Sequence, residues 1–460
     1  MSKLALFGGP KLRTKLFPAY RTIGPEEESA VINVMRSGVL SRFVGGWHPD
    51  FYGGPQVQAL EAEWAKHFGA KHAITVNSAT SGLYCAVGAI GAGPGDEIIV
   101  SPYTMSASAT AALIFNSVPV FADIEEDYFC LDADSIEERI TEATRAIIVV
   151  DIFGQPYDAE KINKIAEKHD LWVIEDAAQA PHAKYKDKFA GTLGDIGIYS
   201  LNYHKHIHAG EGGVVVTDND DLAEKVRLIR NHAEAVVEDK GVTDLTNMIG
   251  FNFRMNEIEA AITREQLKKL PSLVKQRQEN VSYLASRLST IPCIEPAKVR
   301  PGCEHVFYMH CLKFDSQVAG VHRNRFVDAV KAELPAIELR ETEGVKVVGG
   351  YVKPLYLQPM FQQKIAYGKA GCPFKCGHSF RDVSYDKGIC PVCERMHFDE
   401  LINHELMRPG MSRQDLDDVA AAFEKVWGNR SELRQAKSVN DDISRLNATR
   451  SAPTEHNSRL

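Results

Sequence analysis

AIIVVDIFGQPYDAEKINKIAEKHDLWVIED, residues 146–176, holds an apolar run, a helical stretch and a second apolar run. The runs AIIVV (146–150) and LWVI (171–174) do not alternate polar with apolar side chains, so each reads as a strand buried on both faces. Between them DAEKINKIAEKH (158–169) has the spacing of a helix. Strand, helix and strand in that order make a crossover unit with parallel strands. The same alternation extends outward through HAITV (72–76), EIIVS (97–101), VPVFAD (118–123), DIGIYS (195–200) and GVVVTD (213–218), with SGLYCAVGAIG (81–91) among the intervening helices. The fold class is therefore α/β, a large domain built on a mostly parallel sheet. Ligands of such sheets sit beyond the carboxyl ends of the strands.

Around this core, PEEESAVINVMRS (25–37) carries proline at the first helical position, acids in the first turn and Gly38 as a stop. Residues 255–290 read as a long amphipathic helix interrupted near Pro271. The expected organisation is an N-terminal segment (1–40), the large domain (41–290), a smaller α+β C-terminal domain (291–430) and a polar, disordered tail (431–460). The chain has 460 residues, which suits two or three such units. A formal charge of −8 gives no basic surface for nucleic acid, and no apolar run reaches the ~18 residues that a membrane span needs. The basic start MSKLALFGGPKLRTK has too short an apolar stretch for a secretory signal, so the cytoplasm is expected.

Three strand ends carry chemistry. VNSATSGL (76–83) passes from strand into helix through small residues, which suits a phosphate cradle and equally an ordinary turn. VIEDAAQA (173–180) ends an apolar strand in carboxylates; Asp176 is either a helix cap or the partner of a buried cationic ring nitrogen. SLNYHKHIHAGEGG (200–213) sets Lys205 among His204, His206 and His208 before a glycine-rich turn. A surface lysine is the bland reading. A metal site on the histidines lacks a companion carboxylate at ligand spacing.

In this order the blocks EDAAQA (175–180), GDIGIYS (194–200) and KHIHAGEGG (205–213) resemble the DegT/StrS-type sugar aminotransferases, a branch of the fold-type-I pyridoxal-phosphate (PLP) enzymes. GPGDEIIVSPYT (93–104), IFGQP (152–156), GFNFRMNEIEAAI (250–262) and MRPGMSRQDLDDV (407–419) extend the resemblance over about residues 18–428. The resemblance implies that Lys205 holds PLP covalently, that Asp176 keeps the pyridine nitrogen protonated and that Gln179 contacts the phenolic oxygen. It places the phosphate at Ala79, Thr80 and Ser200, and implies a homodimer in which Asn252 reaches the neighbour's phosphate. Tyr103 is expected to cover the ring, since Met105 occupies a position often aromatic in the family; His182 is expected nearby. The implied reaction takes an amino group from L-glutamate or L-glutamine to a keto-sugar, often nucleotide-linked, or to a related cyclic ketone. Some members are PLP-dependent sugar dehydratases with histidine in place of the lysine; here lysine is retained. A non-catalytic binding or regulatory protein on the same fold would be expected to lack Lys205 or Asp176, and both are present.

CPFKCGHSFRDVSYDKGICPVCERMH (372–397) departs from the family pattern. Cys372 and Cys376, then Cys390 and Cys393, have the spacing of a structural zinc site, with His378 or His397 as alternative ligands, within an insert at 371–394. Four thiolates would leave no open position for catalysis by the metal. The insert is expected near the mouth of the active site.

Overall fold

The computed structural model describes residues 3–375 and 377–435. In chain order the first nine strands are β1 (His72–Val76), β2 (Glu97–Val100), β3 (Val118–Phe121), β4 (Thr144–Val150), β5 (Trp172–Asp176), the short hairpin β6 (Lys184–Tyr185) and β7 (Lys188–Phe189), β8 (Ile196–Ser200) and β9 (Gly213–Thr217). Seven of them form one sheet in the order β1-β9-β8-β5-β4-β2-β3. Within it β8, β5, β4, β2 and β3 are parallel, and only β9 runs against its neighbours. The unbroken apolar runs have the cause expected of them. Ile198 and Val215 enter one core cluster while Tyr199, Val214 and Val216 enter another, so both faces of the sheet are dry.

Helices α1 (Pro25–Ser37), α2 (Pro55–Phe68), α3 (Ala79–Ala89), α4 (Ser106–Ile114), α5 (Ala133–Arg139), α6 (Ala159–His169) and α7 (Asp220–Arg230) precede the 32-residue α8 (Glu257–Leu288). Helix α1 starts on Pro25 and ends on Gly38 in the left-handed conformation, as its sequence predicts. Helix α8 does not break at Pro271. That residue is exposed and stands inside the continuous helix.

The C-terminal half adds β10 (Ile294–Pro296), β11 (Cys303–Glu304), β12 (His310–Phe314), β13 (Val347–Gly349) and β14 (Leu401–His404). Four of these make an antiparallel sheet, β10-β12-β14-β13, while β11 joins the hairpin β6–β7. The core on this smaller sheet also takes Leu4 and Phe17, so the N-terminal segment is packed against it. Residues 430–435 continue as helix with Leu433 fully buried, which corrects the start of the expected tail; 436–460 lie outside the described residues.

The cysteine-rich insert lies along the edge strand β3. Tyr385 donates its hydroxyl to Pro119 O (2.7 Å), and Tyr356, Phe361 and Tyr385 surround Phe121 with ring centroids 5.2–5.8 Å away. Arg381 Nε donates to Glu97 Oε1 (2.8 Å) at the first residue of β2, the end opposite to the strand's carboxyl terminus. The insert thus covers a sheet edge, a common protection against stray strand pairing, and its Val392 and Cys393 N–H groups also donate to Asp123 beyond the carboxyl end of β3. The zinc expectation is not supported among the described residues. Cys390 and Cys393 are fully buried in the apolar core. Cys372 is half-buried, Cys376 falls outside the described residues, and among the described residues no three His, Cys, Asp or Glu side chains, His378 and His397 included, group as metal ligands.

His310 and His404 face each other across β12 and β14, with His310 Nδ1 3.0 Å from His404 Nε2. Burial pushes His310 down to about 4 and the nearby His305 to about 3, and His404 well below its ordinary value. These groups are neutral when folded and titrate near 6.5 when unfolded. Their contribution to stability is complete above about 6.5 and lost as pH falls through that value toward 4. The unfolding temperature should therefore drop steadily between pH 6.5 and 4.5; a flat profile over that range would contradict it.

Candidate active site

The carboxyl ends of β1, β4, β5 and β8 and the amino end of β9 share one edge of the large sheet. Val76 and Ser200 both pair with Gly213 there. Beyond Val76 the chain turns into α3 with Ser78 as cap, its hydroxyl accepting Ser81 N–H (3.1 Å). The N–H groups of Ala79 and Thr80 have no hydrogen-bond acceptor among the described residues and are free for an anion. A side chain at 213 would put its Cβ 2.7 Å from Ala79 N, so only glycine lets β9 run this close to the helix start. Ser200 Oγ accepts Asn202 N–H (3.3 Å), which leaves its own proton to donate.

Asp176, at the end of β5, is buried. One carboxylate oxygen accepts Ser108 Oγ–H (2.7 Å) and the other Ala178 N–H (3.2 Å). No cationic side chain lies in ion-pair range among the described residues. Burial therefore pushes its carboxyl up, opposed by Ser108, by Ala178 and by the more distant charge of Lys205. Deeper still, Asp151 and Glu175 form a buried carboxyl pair. Glu175 accepts N–H bonds from Gly191, Leu193 and Gly194, and burial beside Glu175 pushes Asp151 well up, so the proton sits on Asp151.

Lys205 Nζ lies 4.5 Å from the centroid of the Tyr308 ring, with no hydrogen-bond acceptor among the described residues. Among the described residues the neighbouring histidines join no group of three metal-ligating side chains. His206 is fully buried and shares a 2.9 Å hydrogen bond with Val306 O; burial pushes it well down, and pushes His204 to about 4.

Gln179 is fixed from two sides. Its Oε1 accepts Phe153 N–H (2.8 Å) and its Nε2 donates to Tyr351 Oη (3.1 Å). Phe153 holds a left-handed φ of 59°, and Gly154 follows at 98°, where a Cβ would come within 2.9–3.0 Å of the backbone nitrogens of Phe307 and Tyr308. That close approach lets Tyr308 N–H donate to Phe153 O (2.7 Å). Ser108, Asp151, Tyr308 and Tyr351 all escaped the sequence reading. Asp151 lies in the stretch that decides the fold without being marked there, and the other three act through elements distant in the chain.

Other expectations fare differently. Tyr103 is fully enclosed by Phe153, Tyr351 and His397, so it is part of the packed wall and has no free face to cover a ring; Met105 is the exposed residue of that turn. His182 sits 3.3 Å from His67 and packs on Phe189. Asn252 is exposed, its Oδ1 accepting Arg254 Nε–H (2.7 Å), and its backbone carbonyl lies beside Asn77 at the end of β1.

Free helix-start amides, a buried carboxylate lacking a cation and a nearby lysine without an acceptor suit the phosphate, ring nitrogen and aldehyde of PLP. The fold and this strand-end arrangement define a fold-type-I aminotransferase. The chain belongs to the DegT/DnrJ/EryC1/StrS aminotransferase family, whose model matches residues 26–423. It is 31% identical over 410 residues to the spore coat polysaccharide biosynthesis protein SpsC of Bacillus subtilis, covering 88% of this chain and 95% of that one. Among solved structures it resembles DesI in the presence of its TDP-sugar product (25% identity, TM-score 0.76, 94% of this chain and 98% of that one). It also resembles DesV of S. venezuelae (26% identity, TM-score 0.72, 90% and 99%).

Without PLP the Asp176 charge is a liability: its carboxyl is raised in the folded state, so its unfavourable effect sets in as pH rises above about 4. Asp176→Asn should raise the unfolding temperature of cofactor-free protein at pH 7 by about 1–3 °C, with a gain that shrinks toward pH 4. Saturating PLP should reverse the order. A cofactor-free variant less stable than the parent at pH 7 would count against the assignment.

Proposed function

We propose that this aminotransferase uses PLP held on Lys205 to move an amino group from L-glutamate or L-glutamine to a keto-sugar, often nucleotide-linked, or a related cyclic ketone. The observation that carries this reading is the pairing of an unneutralised buried Asp176 with Lys205 across one strand edge, in a chain of this family. The sugar part is supported by the polysaccharide role in the name of SpsC and the TDP-sugar bound to DesI. The retained lysine favours transamination over the sugar dehydration of histidine-bearing members.

Bound PLP supplies a ring that takes up the charge left when the substrate's C–H bond breaks. The protein's own part is binding and proton handling. Ala79 and Thr80 N–H and the Ser200 hydroxyl take the phosphate. Asp176, steadied by Ser108, holds the proton on the ring nitrogen, and Gln179 donates to the phenolic oxygen. Lys205 Nζ, once free as an amine, would take up the proton of the substrate carbon and hold it for return. Tyr308 offers its ring face to the ammonium so formed.

A homodimer belongs to the same reading. Leu245 and Ile249 stand 59% and 68% exposed on the segment leading to Asn252, which suits a covered face with Asn252 completing the partner's site. Cys85, Cys130, Cys293, Cys311, Cys390 and Cys393 are buried thiols, as suits the cytoplasm.

With PLP, L-glutamate or L-glutamine should bleach the visible band, and a nucleotide-linked keto-sugar should restore it. Lys205→Ala should show neither change and lose at least ~10⁴-fold in turnover. If a broad panel of keto-sugars and cyclic ketones fails to restore a donor-bleached band, the acceptor assignment is wrong.

A further inference from the structure

We propose that Tyr351 is a positioning residue for the reaction: it aims the side-chain amide of Gln179 at the phenolic oxygen of the cofactor. This rests on the PLP reading above and deepens it.

The Gln179 amide has one oxygen and two N–H donors to place. Phe153 N–H is a donor, so the atom 2.8 Å from it must be Oε1, and the NH₂ group is turned toward the other side. Of its two protons, one goes to Tyr351 Oη at 3.1 Å. In a planar amide the direction of the second is then set, and that proton is the one left for a ligand. Phe153 alone would leave the amide free to swing about its terminal torsion, which is broad for glutamine. Tyr351 removes that freedom.

Tyr351 is itself well held. Its ring packs edge-on against Phe153 (centroids 5.1 Å, 80°) and Tyr103 (5.9 Å, 88°). It follows Gly350, whose φ of 75° turns the chain out of β13 of the smaller sheet. The amide on the large sheet is thus oriented by a hydroxyl carried from the small one. Both contacts meet at Phe153, whose carbonyl also accepts Tyr308 N–H (2.7 Å). The enclosure of Tyr103, which removes it as a ring cover, acquires a purpose here as the wall behind Tyr351.

Tyr351→Phe keeps the ring and deletes the acceptor. A weaker donor to the phenolic oxygen leaves its anion less stabilised, so the bound cofactor holds its proton to higher pH. The midpoint of the pH-dependent change in the visible band of PLP-loaded protein should rise by about 0.5–1 on the pH scale. The turnover number should fall roughly 5–20-fold with the donor KM little changed. Gln179→Asn, which draws the amide away from Tyr351 but leaves the tyrosine in place, should move the midpoint the same way. In a Gln179→Ala background Tyr351→Phe should add no further shift, because Tyr351 acts through that amide. A Tyr351→Phe protein that titrates like the parent, or additive shifts in the double variant, overturns the proposal while leaving the PLP reading intact. A parent protein with no visible band on PLP addition overturns both.

Discussion

A carboxylate in a dry site is tolerable only when another charge or several donors answer it. Asp176 has one hydroxyl and one amide, and no cation in range among the described residues. Much of the surrounding structure can be understood as keeping it so. The parallel strands deliver it to the sheet edge between β4 and β8, where Val150 and Ile198 flank it in register. The Asp151–Glu175 pair behind it carries a single negative charge, largely met by three backbone N–H groups. The result is a buried negative charge that a cationic group would offset.

The second dependence is on the turn at Phe153. Its left-handed backbone and the close approach of Gly154 to residues 307–308 join the two halves of the molecule at one point. From that point Gln179 is fixed from one side, Tyr351 from its ring edge and Tyr308 from its backbone. A non-glycine residue in this conformation costs on the order of 1 kcal/mol, which a buried, fully bonded turn can sustain where a loose loop could not.

The sequence exposed the features that depend on local pattern. Unbroken apolar strands, the proline and glycine bounding α1, and the blocks carrying Asp176, Gln179 and Lys205 were all legible, because short-range chemistry sets them. What escaped depends on long-range contact. Ser108 lies 68 residues from the carboxylate that it supports, and Tyr351 lies 172 from Gln179. Tyr103 looked available because its neighbour Met105 is not aromatic, yet burial decides which face of a residue is free. The cysteine spacing suggested zinc. Two of these thiols, Cys390 and Cys393, serve as apolar packing under an insert whose aromatic residues need a surface, and the edge strand β3 offers one. Pro271 misled as well, since α8 runs on through it.

The most direct measurement is chemical. Protein incubated with PLP is reduced with borohydride, digested and mapped for the added pyridoxyl mass. The expected result is one modified residue, Lys205, with the yield collapsing when Asp176 is replaced by alanine. Modification spread over surface lysines, or no modification of Lys205, would contradict the claim that a buried carboxylate and this amine together hold the cofactor.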